Sequence, residues 1–436
     1  MKYITVLLLG FGLFSYSQEK DSTNVTYKKR VLENIEVDFL ASYYKQDGIH
    51  SAVSGGKGME DLTDITPTIV VAVPLNDDAV LTIDAGISAY SSASSGNINP
   101  FDSNTPSPWQ ASSGASASDA LTSLVTNYSH SSDDRNTVWN AHLSGSVEYD
   151  YSSIGFGGGI TKLFNDKNSE INLSANVYLD TWSPIYPKEL QDFASYGNTN
   201  GGIFNNFTIT GNTAYNPNKF SFHENKNRNS YAVSLSFSQV ATKKMQFSLF
   251  LDVLQQQGLL STPYQRIYFA DVADSFINEF QLADDIERLP DSRFKVPVGA
   301  RLNYYVNERL VIRSYYRYYW DNWDISSHTM NIELPIKLSD KFTVFPMYRY
   351  YTQQKSKYFA PYEQHLSTEK YYTSDYDLST FNANQYGVGI GYTDIFMDRK
   401  IWKFGLKNID FRYNHYKRSD GLFANIVSFG IKFVQQ

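Results

Sequence analysis

Hydrophobic and polar residues alternate with a period of two along most of this chain. Segment 231–238 places Tyr, Val, Leu and Phe at odd positions against Ala and Ser, and segment 427–433 places Val, Phe, Ile and Phe against Ser, Gly and Lys. Alternate side chains of a β-strand point to opposite faces, so each such strand has one apolar and one small polar face. Long strands of this kind predict an all-β fold, a transmembrane antiparallel β-barrel with lipid outside and a polar interior.

Sixteen segments fit the pattern, and most are long enough to cross a bilayer at a tilt. Every second connection between them is short and all the long ones fall in the other set, as in bacterial barrels with short periplasmic turns, longer outer loops and both termini in the periplasm. A secreted β-sandwich or propeller, the alternative, has shorter strands and more frequent turns. The predicted strands are 34–46, 62–74, 79–91, 119–131, 137–150, 153–164, 169–182, 228–241, 244–257, 293–306, 309–322, 325–338, 341–354, 382–396, 405–418 and 421–434.

The N-terminus has the features of a secretory signal peptide. Lys2 precedes an apolar run at 4–14, and Ser15-Tyr16-Ser17 is a small-x-small cleavage site. The run is too short to span roughly 30 Å of hydrocarbon, which favours a cleaved signal over a membrane anchor. We therefore predict a signal peptide at 1–17, a periplasmic segment at 18–33 and one barrel domain at 34–436, exported to the outer membrane of a Gram-negative cell.

The composition excludes several kinds of site and argues against one class of partner. The absence of cysteine excludes disulfides, thiolate sites and lipid attachment through a cysteine thioether. The net charge of −7 argues against nucleic acid as a partner. The 16% aromatic content, with 34 tyrosines, suits the aromatic girdles at the two membrane interfaces. Outer-membrane lipid is the predicted partner, and no cofactor is indicated.

Once the apolar face of each strand is assigned to lipid, the other face places charged residues in the lumen. Opposed walls of opposite charge would select small polar solutes. Alternatively, the charges pair and fill the interior, and Asp252, Glu333 and Asp410 interrupt the separation of charge. The acidic candidates are Glu36, Asp38, Asp84, Glu148, Asp150 and Asp180, and the basic candidates are Arg301, Arg313, Arg317, Arg349 and Arg412, joined by Lys337 and Lys432. Segment 271–288, with Phe276, Ile277, Phe280 and Ile286, is predicted to form a short helix in the mouth.

Evidence for a metal site or for catalysis is weak. Glu60, Asp61 and Asp64 cluster near a glycine-rich loop and are weak candidates for Ca²⁺, but they lack an Asp-x-Asp-x-Asp-Gly spacing. His142 and Ser144 share one strand face, where side chains two residues apart lie roughly 7 Å from each other, too far for a nucleophile and its base. No metal or catalytic residue is predicted.

A series of short motifs runs along the chain: 43–48 (Tyr-Tyr-Lys-Gln-Asp-Gly), 51–56 (Ser-Ala-Val-Ser-Gly-Gly), 90–94, 97–100, 112–116, 316–323 (Tyr-Arg-Tyr-Tyr-Trp-Asp-Asn-Trp), 328–329 and 418–422 (Arg-Ser-Asp-Gly-Leu). Together they resemble an uncharacterised family of Gram-negative outer-membrane proteins, one of the domain-of-unknown-function classes. The resemblance implies a β-barrel without assigned activity or catalytic residues. It also implies an association with neighbours resembling thioredoxin-like proteins and flavin-attaching enzymes.

These observations predict a channel or uptake pore for small polar solutes. A non-conducting scaffold or receptor is the alternative, with long loops that bind an envelope protein and a link to a periplasmic redox or flavin system. A barrel-borne hydrolase, with His328 or His415 near a rim, has the least support because neither histidine has a convincing partner in the sequence.

Overall fold

The computed structural model describes residues 29–92 and 119–436. One antiparallel sheet closes into a barrel because the first strand pairs with the last, from Glu36↔Val434 to Asp47↔Phe423. The predicted all-β barrel of 16 strands is confirmed. Its strands are β1 (Glu36–Asp47), β2 (Leu62–Pro74), β3 (Ala79–Ser92), β4 (Asp119–Ser131), β5 (Thr137–Val147), β6 (Tyr151–Phe164), β7 (Ser169–Trp182), β8 (Arg228–Thr242), β9 (Met245–Gly258), β10 (Ser292–Asn307), β11 (Leu310–Asp321), β12 (Ser326–Glu333 and Ile336–Lys337), β13 (Phe342–Val344 and Met347–Gln353), β14 (Phe381–Thr393), β15 (Phe404–Arg418) and β16 (Phe423–Gln435).

Three predicted segments lie wholly or partly outside the described residues: the signal peptide at 1–17, the segment 18–33 up to residue 28, and the loop 92–118 from residue 93. Among the described residues, no helix is both long enough and apolar enough to cross a bilayer.

The alternating apolar residues form the outer face of the barrel. Leu235, Leu249 and Val298, on three neighbouring strands, are 44%, 50% and 45% exposed. The residues between them point inward, and most are small or polar, with Phe250 as an exception. A continuous apolar surface of this extent requires lipid around it rather than water.

Prolines interrupt the hydrogen-bond ladder at three places. Pro335 breaks β12 and Pro346 breaks β13, and the Leu334 N–H donates across the gap to the Pro346 carbonyl at 3.0 Å. The β2–β3 pairing skips Thr66 and Pro67. Proline has no N–H to donate to a ladder, so the two strands predicted as continuous at 325–338 and 341–354 are each divided in two.

Short and long connections lie at opposite ends of the barrel. The turns after β2, β4, β6, β8, β10, β12 and β14 are short, whereas the described long loops, 48–61, 183–227, 259–291 and 354–380, all lie at the other end. This segregation is the one expected for periplasmic turns and outer loops. We call these four long loops the cap.

The cap has its own secondary structure. It contains α1 (Lys188–Tyr196), 3₁₀ turns at Ala52–Ser54, Gly202–Asn205 and Tyr376–Leu378, and short strands at Thr210–Gly211, Arg266–Ile267, Ser275–Ile277, Phe280–Gln281 and Asp285–Ile286. The predicted helix in 271–288 is wrong. Asn278 and Glu279 have φ of 49° and 66°, values that turn the chain back into a two-residue β-hairpin instead. A further short strand, Lys400–Ile401, lies in the turn before β15.

The cap crosses the mouth of the barrel. The loops at 48–61 and 259–291 lie on opposite sides of the ring because eight strands separate them, yet Arg266 Nη1 donates to the Val53 carbonyl at 3.4 Å. Buried apolar clusters join the loops, such as Ile203 and Phe204 from 183–227 with Ile277 and Leu282 from 259–291. The cap is thus a packed unit over the lumen and not a set of separate loops.

Asp321 anchors the rim beneath the cap. Its fully buried carboxylate accepts hydrogen bonds from the side chains of Arg293 and Tyr319 and from the N–H groups of Trp323 and Ile325. We expect Asp321→Ala to lower the free energy of barrel unfolding by about 3–5 kcal/mol, because it removes a buried carboxylate and leaves the largely buried Arg293 without its partner. Urea unfolding followed by tryptophan fluorescence would measure this. Equal stability of Asp321→Ala and of Asp340→Ala, in an exposed periplasmic turn, would refute it.

Candidate functional site: an arginine-lined lumen beneath a cap

A row of polar side chains runs across four neighbouring strands on the lumen side. Arg301 of β10 is the register partner of Tyr315 of β11, which pairs with Asn331 of β12, which pairs with Arg349 of β13. Arg317 lies one inward-facing position closer to the cap than Tyr315. Residues in register on adjacent strands are close neighbours, so this row forms one continuous patch on the wall.

A cavity of about 690 Å³ lies against this patch. Of its charged lining residues, three are arginines and two are carboxylates. Among the described residues no carboxylate contacts the guanidinium groups of Arg301, Arg317 or Arg349, so these groups remain available to a solute. The cavity is lined by Phe250, Asp252, Arg301, Asn303, Arg313, Ser314, Tyr315, Asn331, Glu333 and Arg349.

Glu333 pairs with the other two arginines. Arg313 donates to its carboxylate at 2.9 Å and Arg412, on β15, at 2.6 Å. Arg412 reaches Glu333, three strands along the wall, because its register partner on β14 is Gly389, which has no side chain to block it. A Cβ on Gly389 would lie 2.9 Å from Arg412 Cγ, so a larger residue there would displace the arginine.

The predicted acidic residues separate into groups at different heights. Glu36 and Asp38 lie at the periplasmic end, where Lys432 lies 2.9 Å and 3.1 Å from their carboxylates and Lys407 lies 3.0 Å from Glu36. Asp84 faces the lumen from β3, opposite Val70 and Val125 in register.

The remaining acidic candidates lie near the outer rim. Glu148 and Asp180 line a second cavity, of about 420 Å³, with Arg228. Asp150 is buried in the β5–β6 turn and accepts a hydrogen bond from Trp182 Nε1 at 3.1 Å. Opposite charges therefore face each other at the outer rim as well as at the periplasmic end, and Asp84 lies on the N-terminal wall between them.

The N-terminal wall has a cavity of its own, of about 520 Å³. It is lined by Ser123, Val125, Asn127, His142, Ser144, Gly145, Ser146, Tyr151, Ser153 and Tyr178. Its lining contains no carboxylate, lysine or arginine, and Asp84 lies on the adjacent strand as the register partner of the lining residue Val125.

The weak metal candidates are not brought together. Asp64 lies within β2 and accepts hydrogen bonds from Thr66 and Ser88, whereas Glu60 lies in the cap. Burial, and then the nearby Asp377, raises the pKa of Glu60 to about 8. In residues 29–92 and 119–436 no group of three or more His, Asp or Glu side chains has the arrangement of a metal site.

His328 and His415 lie on the outer face of the barrel. The His328 ring is within hydrogen-bonding distance of Tyr316 and the His415 ring of Asn425, at 2.7 Å and 3.0 Å. The partners of the two rings are Tyr316 and Asn425, and neither is a carboxylate. These contacts therefore do not form the His–acid arrangement that the hydrolase hypothesis requires.

The cap is held by buried polar contacts that sequence reasoning missed. Arg266 makes a two-pronged contact with Glu189 of α1, at 2.6 Å and 3.2 Å, and both side chains are almost fully buried. Glu287 accepts hydrogen bonds from Thr373 Oγ1 at 2.5 Å and from the Thr262 N–H at 2.6 Å. Burial, and then the charge of Asp375, raises the pKa of Glu287 to about 8.

Sequence reasoning also missed the neutral part of the arginine patch. Asn303, Tyr315 and Asn331 lie on the same strand faces as the predicted arginines or on a strand between them. Continuing the period-two assignment along each strand would have found them. Glu189, Arg266 and Glu287 have no comparable signal because they lie in loops without periodicity.

The model of the family described as "Protein of unknown function (DUF3570)" matches residues 105–420. The chain belongs to this family. The resemblance inferred from the sequence motifs is thereby confirmed. The family's description names no activity, and no curated protein sequence matches this chain significantly.

Several solved structures are similar to this family member. A bacterial polysaccharide outer membrane secretin is 10% identical over 92% of this chain and 99% of its own, with a TM-score of 0.44. A mutant of the TodX monoaromatic hydrocarbon channel is 8% identical over 93% and 91%, with a TM-score of 0.40. OccAB4 of Acinetobacter baumannii is 7% identical over 92% and 98%, with a TM-score of 0.37.

Proposed function

We propose that this protein is an outer-membrane channel for small polar solutes, exported by its N-terminal signal peptide and selective for anions. The observation that carries the proposal is the arginine patch in the lumen. Arg301, Arg317 and Arg349 have no carboxylate partner among the described residues, whereas Arg313 and Arg412 share Glu333. Unpaired positive groups along a polar passage lower the energy of a passing anion and raise that of a cation.

The cap favours a restricted passage rather than an open pore. A barrel of this strand number leaves an aqueous channel unless loops cover it. Here four loops pack over the mouth. Solutes would enter through gaps beside the cap, such as the rim cavity that Thr262 and Tyr264 share with Glu148 and Arg228.

The arginine patch makes a direct prediction about ion selectivity. We expect the double variant Arg301→Gln, Arg349→Gln to lower the anion-to-cation permeability ratio by about threefold to tenfold, because two lumen charges are lost. The reversal potential across planar bilayers in a KCl gradient would measure it. Arg309→Gln, in a periplasmic turn, is the matched control and should leave the ratio unchanged.

Conductance is the decisive test of the function itself. A protein that conducts no ions in bilayers, even when the cap has been opened by the substitution described in the Discussion, is not a channel. That result would favour the non-conducting scaffold or receptor.

A further inference from the structure

We propose that the solute bound at the arginine patch is a small oxyanion that also carries a hydroxyl group, a hydroxylated carboxylate or phosphate. This inference rests on the proposed channel function and assigns its substrate class. It starts from Asn331, the one member of the Arg301–Tyr315–Asn331–Arg349 row whose side chain has a buried oxygen without a hydrogen-bond partner in the described part of the chain.

Asn331 and the arginines have complementary requirements. A guanidinium only donates hydrogen bonds, so Arg301 and Arg349 call for an oxyanion. The side-chain oxygen of Asn331 only accepts, so it calls for a donor, and an unpaired buried acceptor is costly. A single solute in the cavity that touches both kinds of group must contain an oxyanion and a donor.

The donor is a hydroxyl and not an ammonium group. Three arginines line the cavity against two carboxylates, and Glu333 is already shared by Arg313 and Arg412. An ammonium group beside Asn331 would face the charge of Arg349 on the next strand, its direct register partner. A neutral hydroxyl donates to the same oxygen without that repulsion.

The aromatic lining holds the anion-binding group in place. The Arg301 guanidinium lies 5.5 Å from the centre of the Phe250 ring and 5.9 Å from that of Tyr315. Contacts of this kind favour a guanidinium that is fixed beside the rings, with its N–H groups still free to meet a ligand. The cavity volume of about 690 Å³ is in the range of small-molecule sites.

Matched pairs of probes test the assignment in the full-length protein. Glycerate and propionate have the same carbon number and charge and differ in hydroxyls, and glycerol phosphate and propyl phosphate form the equivalent phosphate pair. Each probe is added to the protein in planar bilayers, and its apparent dissociation constant is taken from the block of chloride current. We expect the hydroxylated member of at least one pair to bind about threefold to tenfold more tightly. The pair with the larger ratio distinguishes carboxylate from phosphate.

Asn331→Leu removes the acceptor while keeping the number and branching of the side-chain heavy atoms. We expect it to reduce the hydroxyl preference to about one and to leave propionate binding unchanged. Asn140→Leu, on the lumen face of β5 and outside this cavity, should keep the preference. Ratios near one for both pairs in the wild type, or a preference that survives Asn331→Leu, would overturn the inference. In both cases the channel still conducts, whereas failure of the proposed function would remove the current itself.

Discussion

Replacing Arg266 with alanine is expected to open the cap and raise single-channel conductance severalfold. Arg266 joins three of the four cap loops because it contacts Glu189, donates to the Val53 carbonyl and lies 5.2 Å from the centre of the Phe280 ring. Its loss would leave the Glu189 carboxylate buried without a partner. Breaking a buried ion pair in this way costs about 3–5 kcal/mol, and the cost falls on the cap alone.

Conductance in planar bilayers and limited proteolysis of the intact protein would measure this effect. The 259–291 loop should become cleavable while the barrel keeps its heat-modifiable migration in gels. The double variant Arg266→Met, Glu189→Leu is the control, because replacing a buried ion pair by apolar residues often leaves stability unchanged. The prediction would be contradicted by an Arg266→Ala protein with wild-type conductance and protease resistance.

The second large effect is a dependence of the cap on pH. The pKa of Glu287 is raised from an ordinary value of 4.5 to about 8 by burial. The folded cap therefore holds this proton more tightly than an unfolded loop does. The contribution of this proton to the stability of the folded cap is fully present below about pH 4.5. It is lost as pH rises through 8, and the loss is on the order of 5 kcal/mol when ionisation is complete.

We expect conductance to rise between pH 5 and pH 9 as the cap loosens. Asp284 and Glu60, whose pKa values are raised to about 7 and about 8 mainly by burial, act in the same direction. Glu287→Gln keeps an acceptor for Thr262 and Thr373 but cannot ionise. It should remove a large part of the rise in conductance. An identical pH profile in wild type and Glu287→Gln would exclude Glu287 as the titrating group.

The family motifs serve the cap and rim more than the lumen. In the 316–323 motif, Asp321 and Trp323 secure the rim, and Trp323 Nε1 donates to the Ser292 carbonyl at 3.1 Å. In the 418–422 motif, Arg418 contacts Asp377 of the cap and Asp420, and its guanidinium lies 3.8 Å from the centre of the Phe381 ring. Gly55 lies so close to Tyr268 that a Cβ would approach its ring to 2.8 Å. The resemblance therefore follows the residues that hold the cap over the barrel.

The barrel itself follows from the sequence. Period-two alternation is a local property, and a strand that is apolar on one face must present that face to lipid, so strand number, strand faces and the side of each loop could be inferred without coordinates. The arginines of the patch were predicted for the same reason. The inward direction of Arg301 depends only on its neighbours in β10.

Tertiary structure decided which charges meet and what covers them. Pairing of Glu333 with Arg412 requires register across three strands and the space left by Gly389, and neither is encoded in a local pattern. The cap depends on contacts between residues far apart in the chain, such as Glu189 with Arg266, in loops without periodicity. Its hairpin at 275–281 formed where apolar spacing predicted a helix, because the left-handed backbone of Asn278 and Glu279, together with burial of Ile277 and Leu282, outweighed that spacing.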